Sequence, residues 1–289
     1  MTTINVQNGG FTTEAYSKKV NINLDKQGTY TDIVNRNYEG EIKNQGDRVY
    51  FYNIGNLTAQ DYNPKSPEAI NYANPEGDKQ VLIIDQIKVI PFKVGDIQKV
   101  WANLNLVNQY ADRAAVAGAE TKDAFLHGLA VAGAATKLND SSALALTPEN
   151  VWAQICKMQA VLKRKNALKG NVDYAGKRPA LVVSPEVEGV INQAPQYFAN
   201  AFGNEVLRKG QIGHIGLFDV FVNTVNGEAT GEHTIVALTS DAITYAEQIT
   251  KTETLRDKDE IGDFVRSLMV YGGKVANPDC IVTNKVTVA

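Results

Sequence analysis

The stretch NYEGEIKNQGDRVYFYNIG, residues 37–55, decides how the rest of the chain is read. It has the grammar of a strand, a turn and a second strand. Asn44-Gln45-Gly46-Asp47 supplies turn chemistry, with Gly46 available for positive φ. Beyond the turn, Val49 and Phe51 alternate with Tyr50 and Tyr52, which is strand periodicity. Both faces of this hairpin are almost equally polar, so by itself it has little to bury. The following GNLTAQDYNPKSPEAINYANPEGDKQ, residues 55–80, holds three prolines, several Asn and Gly, and few aliphatics. Loops beyond about 12–15 residues are uncommon inside compact domains and usually functional. Residues 37–80 therefore read as a long projecting excursion.

Before it, residues 1–36 are polar and turn-rich, with isolated anchors such as Phe11, Tyr16, Val20, Ile22 and Leu24. Such a segment closes no core alone and reads as an arm lying along something else. After it, VLIIDQIKVIPFKV (81–94) reads as one buried strand with Pro91 near its end. Leu104, Val107, Ala111, Ala114, Gly118, Phe125 and Leu129 then recur at three- and four-residue steps, with Thr121 the one interruption. A helix of about 26 residues would measure roughly 40 Å. The small residues Ala114, Ala115, Ala117, Gly118 and Ala119 at its middle call for a close neighbour.

A second helix is expected at 148–165, with Thr147 as cap, Pro148 first, and Lys163, Arg164 and Lys165 at its C-terminal dipole. Its buried stripe is Val151, Ile155, Met158 and Leu162. RPALVVSPEVEGVINQ predicts a strand at 180–183, Ser184 as cap, Pro185 first, then a short helix. GLFDVFVNTV and HTIVAL alternate as strands. Residues 242–275 read as two long strands about RDKDEIG, with Thr250, Thr252 and Thr254 alternating with Lys251, Glu253 and Leu255, so neither face is strongly apolar. The class is α+β, without βαβ alternation or internal repeats.

With 289 residues, the chain suits one large domain or two intertwined ones. Apolar content of 44% and charge of 21% are those of an ordinary folded protein. A formal net charge of −3 offers no basic footprint for groove-reading of nucleic acid. The N-terminus lacks a secretory signal, and no run of about 18 apolar residues would span a membrane. Cys156 and Cys280 are too few for a disulfide framework and read as reduced, buried thiols of a cytosolic product.

Catalytic patterns fail one by one. His127, His214 and His233 lack companions at metal-ligand spacing. GQIGHIG (210–216) runs into a strand, whereas a dinucleotide loop opens a helix. DKDEIGDF starts like a calcium loop, but its twelfth position is Leu268 rather than Glu. Ser184 sits in VVSPE, not in a nucleophile elbow, and Cys156 has no paired base. No cofactor or metal is expected.

The order of these elements resembles the major capsid protein of tailed double-stranded-DNA bacteriophages, the Hong Kong 97-type shell fold. The stretches that carry the resemblance are NRNYEGEIKNQGDRVYFYNIG, LIIDQIKVIPFKVGDI, RPALVVSPEVEGVI, and IGHIGLFDVFVNT followed by VRSLMVYGGKVANPDCIV. It covers nearly the whole chain. It implies an N-terminal arm at 1–36 and an extended loop at 37–85. A peripheral domain with a long spine helix would hold 86–146 and 242–275, and an axial domain 147–241 and 276–289.

In shells of this family the extended loop lies over the adjacent subunit. The implied inter-subunit contacts are Glu39, Glu41, Lys43, Arg48, Tyr50, Tyr52, Asp61, Tyr62 and Lys65, with Glu253 and Arg256 in the ribbon. The implied function is self-assembly into pentamers and hexamers of an icosahedral head enclosing DNA without sequence-specific binding. Partners would be further copies, a portal and decoration proteins; with no scaffolding segment ahead of the arm, either a separate scaffolding protein is implied or the sequence is already that of the mature chain. No membrane is involved, and synthesis would occur in the bacterial host cytoplasm. Two other readings stay open: an encapsulin-type shell protein, and an α/β enzyme with an unrecognised carboxylate site.

Overall fold

The computed structural model describes residues 28–37, 48–53, 78–95, 105–194, 214–226, 231–256 and 262–288. The body is built on a seven-stranded mixed sheet. Its strands are β4 (Thr136–Leu138), β5 (Leu144–Leu146), β6 (Ala180–Val183), β7 (His214–Ile215), β8 (Phe218–Val222), β9 (Glu232–Leu238) and β12 (Ile281–Val288). The order is β4-β12-β9-β6-β8-β7, with β5 also paired to β12.

Both faces of this sheet are covered, so its strands alternate between two cores rather than between core and water. Leu181, Val183, Ile235, Ala237, Val282 and Val286 pack with helices α3 (Val151–Arg164) and α4 (Pro185–Asn192). Ala180, Val182, Val236, Leu238 and Ile281 pack with Leu126 and Ala130 of helix α2 (Asn105–Gly133). HTIVAL is consequently buried along its whole length, and its alternation marks which core each residue enters.

At ~1.5 Å per residue α2 is about 43 Å long, 29 residues as against the 26 expected. Its N-terminal half covers a three-stranded antiparallel sheet in the order β10-β11-β3, formed by β10 (Ile243–Arg256), β11 (Gly262–Val275) and β3 (Gln86–Gly95). Ala115 and Ala119 touch Met269 and Ile90 there, the close neighbour that the small residues require. Of the expected stripe, Ala114 and Gly118 are buried and Phe125 and Leu129 half-buried, while Ala115, Ala119, Leu126 and Ala130 bury beside them. Leu104 and the side chains of Val107 and Ala111 lie outside the described residues.

The capping of α4 is as expected: Ser184 accepts from the Val187 N–H, with Pro185 in the first turn. Helix α3 starts three residues later than expected. Residues 148–150 form a turn, and Asn150, not Thr147, occupies the cap position without a side-chain cap bond. The Asn150 carboxamide is instead engaged by the Thr147 N–H and by donation to the Ala145 carbonyl. The expected stripe Val151, Ile155, Met158 and Leu162 is buried.

The single strand expected at 81–94 is two. Strand β2 (Asp78–Ile83) ends before Ile84-Asp85 and pairs with β1 (Arg48–Asn53), whereas β3 pairs with β11. Nor is β3 buried: Ile87 is 41% and Val89 51% exposed. The expected turn 44–47 and first hairpin strand lie outside the described residues. The cysteines are free, but Cys156 is exposed and Cys280 half-buried, because the α3 face bearing Cys156 points to solvent.

Candidate assembly surfaces

Two places bear on assembly: the extended β elements, and the junction where arm, helix and ribbon meet. Strands β1 and β2 form their own two-stranded sheet, with Val49 opposite Leu82 and Tyr50 opposite Val81. One face is apolar after all. Val49, Leu82 and Ile84 are buried against Ala246 and Val270 of the ribbon. The expectation that this element buries little within its own protomer fails at its base, because its apolar partner strand lies beyond the long loop. Gly272 makes the docking possible. A Cβ there would collide with the Ile83 carbonyl oxygen and lie 2.9 Å from the Ile84 Cα.

The opposite face of β1–β2 turns outward. Tyr50 is 48% exposed, Ile83 is exposed opposite Arg48, and the Lys79 ammonium sits 4.0 Å from the Tyr50 ring centroid. Beyond the reach of β1–β2, the ribbon face away from α2 continues exposed among the described residues. Leu255 aligns with Phe264 and Phe264 with Lys93, while Leu268, half-buried against the base of β1–β2, aligns with exposed Val89. Among the described residues, six of the nine large apolar side chains that are exposed lie on these strands: Tyr50, Ile83, Ile87, Val89, Leu255 and Phe264. Apolar surface concentrated on extended elements is the signature of a surface completed by something else.

Of the contact residues inferred from sequence, Arg48 and Tyr50 are exposed in β1, and the backbone of Tyr52 is paired in register with that of Lys79. Glu253 aligns with Arg266, whose Nε donates to its carboxylate at 2.9 Å. Arg256 is exposed near the ribbon tip, and Glu39, Glu41, Lys43, Asp61, Tyr62 and Lys65 lie outside the described residues.

The junction escaped the sequence reading. Residues 30–33 form the short helix α1 (Tyr30–Ile33), and the N–H groups of Thr29 and Tyr30 donate to the Asp123 carboxylate at 3.0 and 3.1 Å. Asn223 donates to the same carboxylate. Burial nevertheless holds the Asp123 carboxyl above its ordinary pKa, against the pull of those bonds and of Lys122. The Asn226 carboxamide donates to the Val182 and Thr234 carbonyls, so its oxygen accepts from the Tyr30 hydroxyl. That leaves the Tyr30 oxygen to accept from His127 Nδ1–H at 2.9 Å. Burial lowers the His127 pKa to about 4.

One turn away, Glu247 of β10 gathers Lys122 at 2.7 Å, Arg36 at 3.0 Å and the Tyr245 hydroxyl at 2.7 Å. Lys122 is only 2% exposed. Two cations and two carboxylates thus balance, Lys122 and Asp123 inside and Arg36 at the half-exposed edge, and they tie arm, long helix and ribbon together. The backbone adds a parallel bridge between Asn35 and Thr244. The available signal was Lys122-Asp123, a charged pair at helix positions that the 3.6-residue period sends inward.

Ser184 and His233 are also close, at 3.0 Å, with Glu186 3.7 Å from the same ring nitrogen. Ser184 is 1% exposed and engaged in capping α4, so this pair braces a helix start.

This architecture, a helix-covered mixed sheet with a ribbon sheet along a long helix, defines a Hong Kong 97-type shell subunit. A family model described as "Phage capsid protein" matches residues 92–284. The chain belongs to that family, whose members are structural proteins of the bacteriophage virion. A chain of Mycobacterium phage Che8 superposes with a TM-score of 0.72 at 26% identity, covering 89% of this chain and 91% of that one. The capsid of the cyanophage P-SCSP1u gives 0.65 at 14%, covering 89% and 86%. The virus-like particle from Pyrococcus furiosus gives 0.56 at 11%, covering 94% and 98%. Comparison with curated proteins finds no match.

Proposed function

We propose that this chain is a non-enzymatic major capsid protein whose copies assemble as pentamers and hexamers into an icosahedral head enclosing double-stranded DNA. The observation that supports this most is the apolar surface on the ribbon and on β1–β2 that stays exposed among the described residues. Identical copies that each cover part of a neighbour remove it. Contacts weak one by one suffice, because each copy makes several and the lattice closes.

In this reading 1–36 is the arm and 37–85 the extended loop, of which 48–53 and 78–83 are the docked root. The peripheral domain takes α2, β3 and the ribbon, and the axial domain the seven-stranded sheet with α3 and α4. Strands β4 and β5, within 136–146, are hydrogen-bonded to β12 and go with the axial domain rather than with 86–146. A portal and a separate scaffolding protein are the expected partners, and the host cytoplasm the site of synthesis.

Negative-stain microscopy of the expressed protein, with and without a candidate scaffold, tests the proposal. Uniform shells or capsomers are expected, and a 31.5 kDa monomer under every condition refutes it. The likeness to the virus-like particle favours one second reading, an encapsulin-type shell. Shells that form without a scaffold and retain a protein cargo instead of DNA would favour that reading.

A further inference from the structure

The net charge of −3 hides a local concentration of the opposite sign. KRKNALKGNVDYAGKR, residues 163–178, carries six cations and a single carboxylate. That carboxylate, Asp173, is 2% exposed, and it accepts from the Lys177 N–H and from the backbone and hydroxyl of Ser240. Its charge is therefore turned inward. The cations Lys163, Arg164, Lys165, Lys169, Lys177 and Arg178 are all exposed.

They converge because the chain is folded tightly here. Asn166 at φ 54° ends α3, and Gly170 and Gly176 also take positive φ. A bridge between Lys169 and Val172 closes the loop, and the Tyr174 hydroxyl donates back to the Asn166 carbonyl at 3.1 Å. Among the described residues, one ion pair touches the group, Lys165 with Asp279 at 2.9 Å, and both of its members are exposed. Lys177 lies near Asp241, whose pKa it lowers against a larger rise from burial. The exposed face of α3 leading into the loop, Ala153, Cys156, Lys157 and Ala160, has no carboxylate.

We infer that this loop is a contact for the phosphate backbone of the enclosed DNA, sequence-independent and electrostatic. The inference rests on the reading of the chain as a genome-enclosing shell subunit. The surface composition selects the partner. Protein interfaces centre on apolar anchors and are depleted in lysine, whereas the one large apolar side chain exposed here is Tyr174, 68% exposed. The segment presents no long helix or ribbon to a groove, so its cations meet phosphates and read no bases. Four to five phosphate contacts give a log–log salt slope of about −4, or a loss of roughly 10²-fold in affinity between 50 and 200 mM salt.

The test is fluorescence anisotropy of the full-length protein with a labelled 30-base-pair duplex, alongside polyglutamate of matched charge. Wild type should bind the duplex with that slope. Lys163→Gln/Arg164→Gln/Lys165→Gln should weaken binding about tenfold or more and flatten the slope by two or three. Lys169→Gln/Lys177→Gln/Arg178→Gln should act alike, whereas Lys88→Gln/Lys93→Gln on the ribbon should change little. Binding unaffected by either loop variant overturns the inference. So does tighter binding of polyglutamate than of duplex, which would point to an acidic protein partner. Shell formation of the loop variants, scored by microscopy, is expected to be intact, which separates failure of this contact from failure of the shell reading.

Discussion

Gly272→Ala isolates the one place where the projecting element is fastened to its own subunit. An added methyl there meets backbone, the Ile83 carbonyl and the Ile84 Cα, and no side-chain rotation can clear it. Two effects compete. Alanine restricts the unfolded chain and favours a strand by about 0.5–1 kcal/mol. Overpacking against fixed atoms costs about 1–3 kcal/mol. The overpacking wins, and the ceiling is set by what β1–β2 buries: Val49, Leu82 and Ile84 contribute about 1.5–3 kcal/mol each if fully undocked.

The expected result is a net loss of about 1–2 kcal/mol, or roughly 2–3 °C in melting temperature for a chain of this size. Hydrogen exchange of the full-length protein should place the loss. Amides of Arg48–Asn53 and Asp78–Ile83 should exchange about tenfold faster, while those of β9 and β12 hold their rates. Gly189→Ala in α4 is the contrasting variant, because nothing lies within 4 Å of its added Cβ. It should stabilise by about 0.5–1 kcal/mol. A Gly272→Ala protein that melts at or above wild type, with unchanged exchange in β1–β2, would refute the reasoning.

Further outcomes are expected. Glu247→Gln strands Lys122 in the interior and should cost about 3–5 kcal/mol in urea unfolding, with Lys122→Met on the same chain restoring part of it. Tyr30→Phe leaves the Asn226 oxygen without its hydroxyl donor and should cost about 1–3 kcal/mol by the same measurement. His127 is depressed to about 4 when folded, against about 6.5 unfolded, so the unfolded chain binds more protons between those values. Its contribution is complete above pH 6.5 and lost as pH falls toward 4, about 1.4 kcal/mol by pH 5.5. Asp123, raised by burial, acts with the opposite sign, so the His127 effect is read as the difference between wild type and His127→Gln across pH. Replacing 54–77 by a short turn should leave folded protomers that form no shells; a deletion of 40–80 would also remove Val49 from the core and is expected to unfold the ribbon's outer face.

Much of the fold was legible because it is written locally. The 3.6-residue recurrence in α2, the Ser184-Pro185 start of α4 and the paired strands about RDKDEIG need only near neighbours in the chain. The order of those elements was enough to place the chain among tailed-phage capsid proteins. The polar alternation around Glu253 in the ribbon was likewise visible.

Pairings between distant segments were decided only in three dimensions. VLIIDQIKVIPFKV looks like one buried strand, but it splits at Ile84-Asp85 because its two halves find different partners, β1 across the long loop and β11 from near the C-terminus. Polarity along β1 suggested an element with nothing to bury, yet its apolar face is matched by ribbon residues roughly two hundred positions away. Lys122, Asp123 and Glu247 are individually ordinary surface residues, and only the convergence of arm, helix and ribbon takes them out of water as a balanced set. Composition fixes how much charge and apolar surface a chain carries. Which of it ends up facing a neighbour depends on contacts that short-range periodicity does not encode.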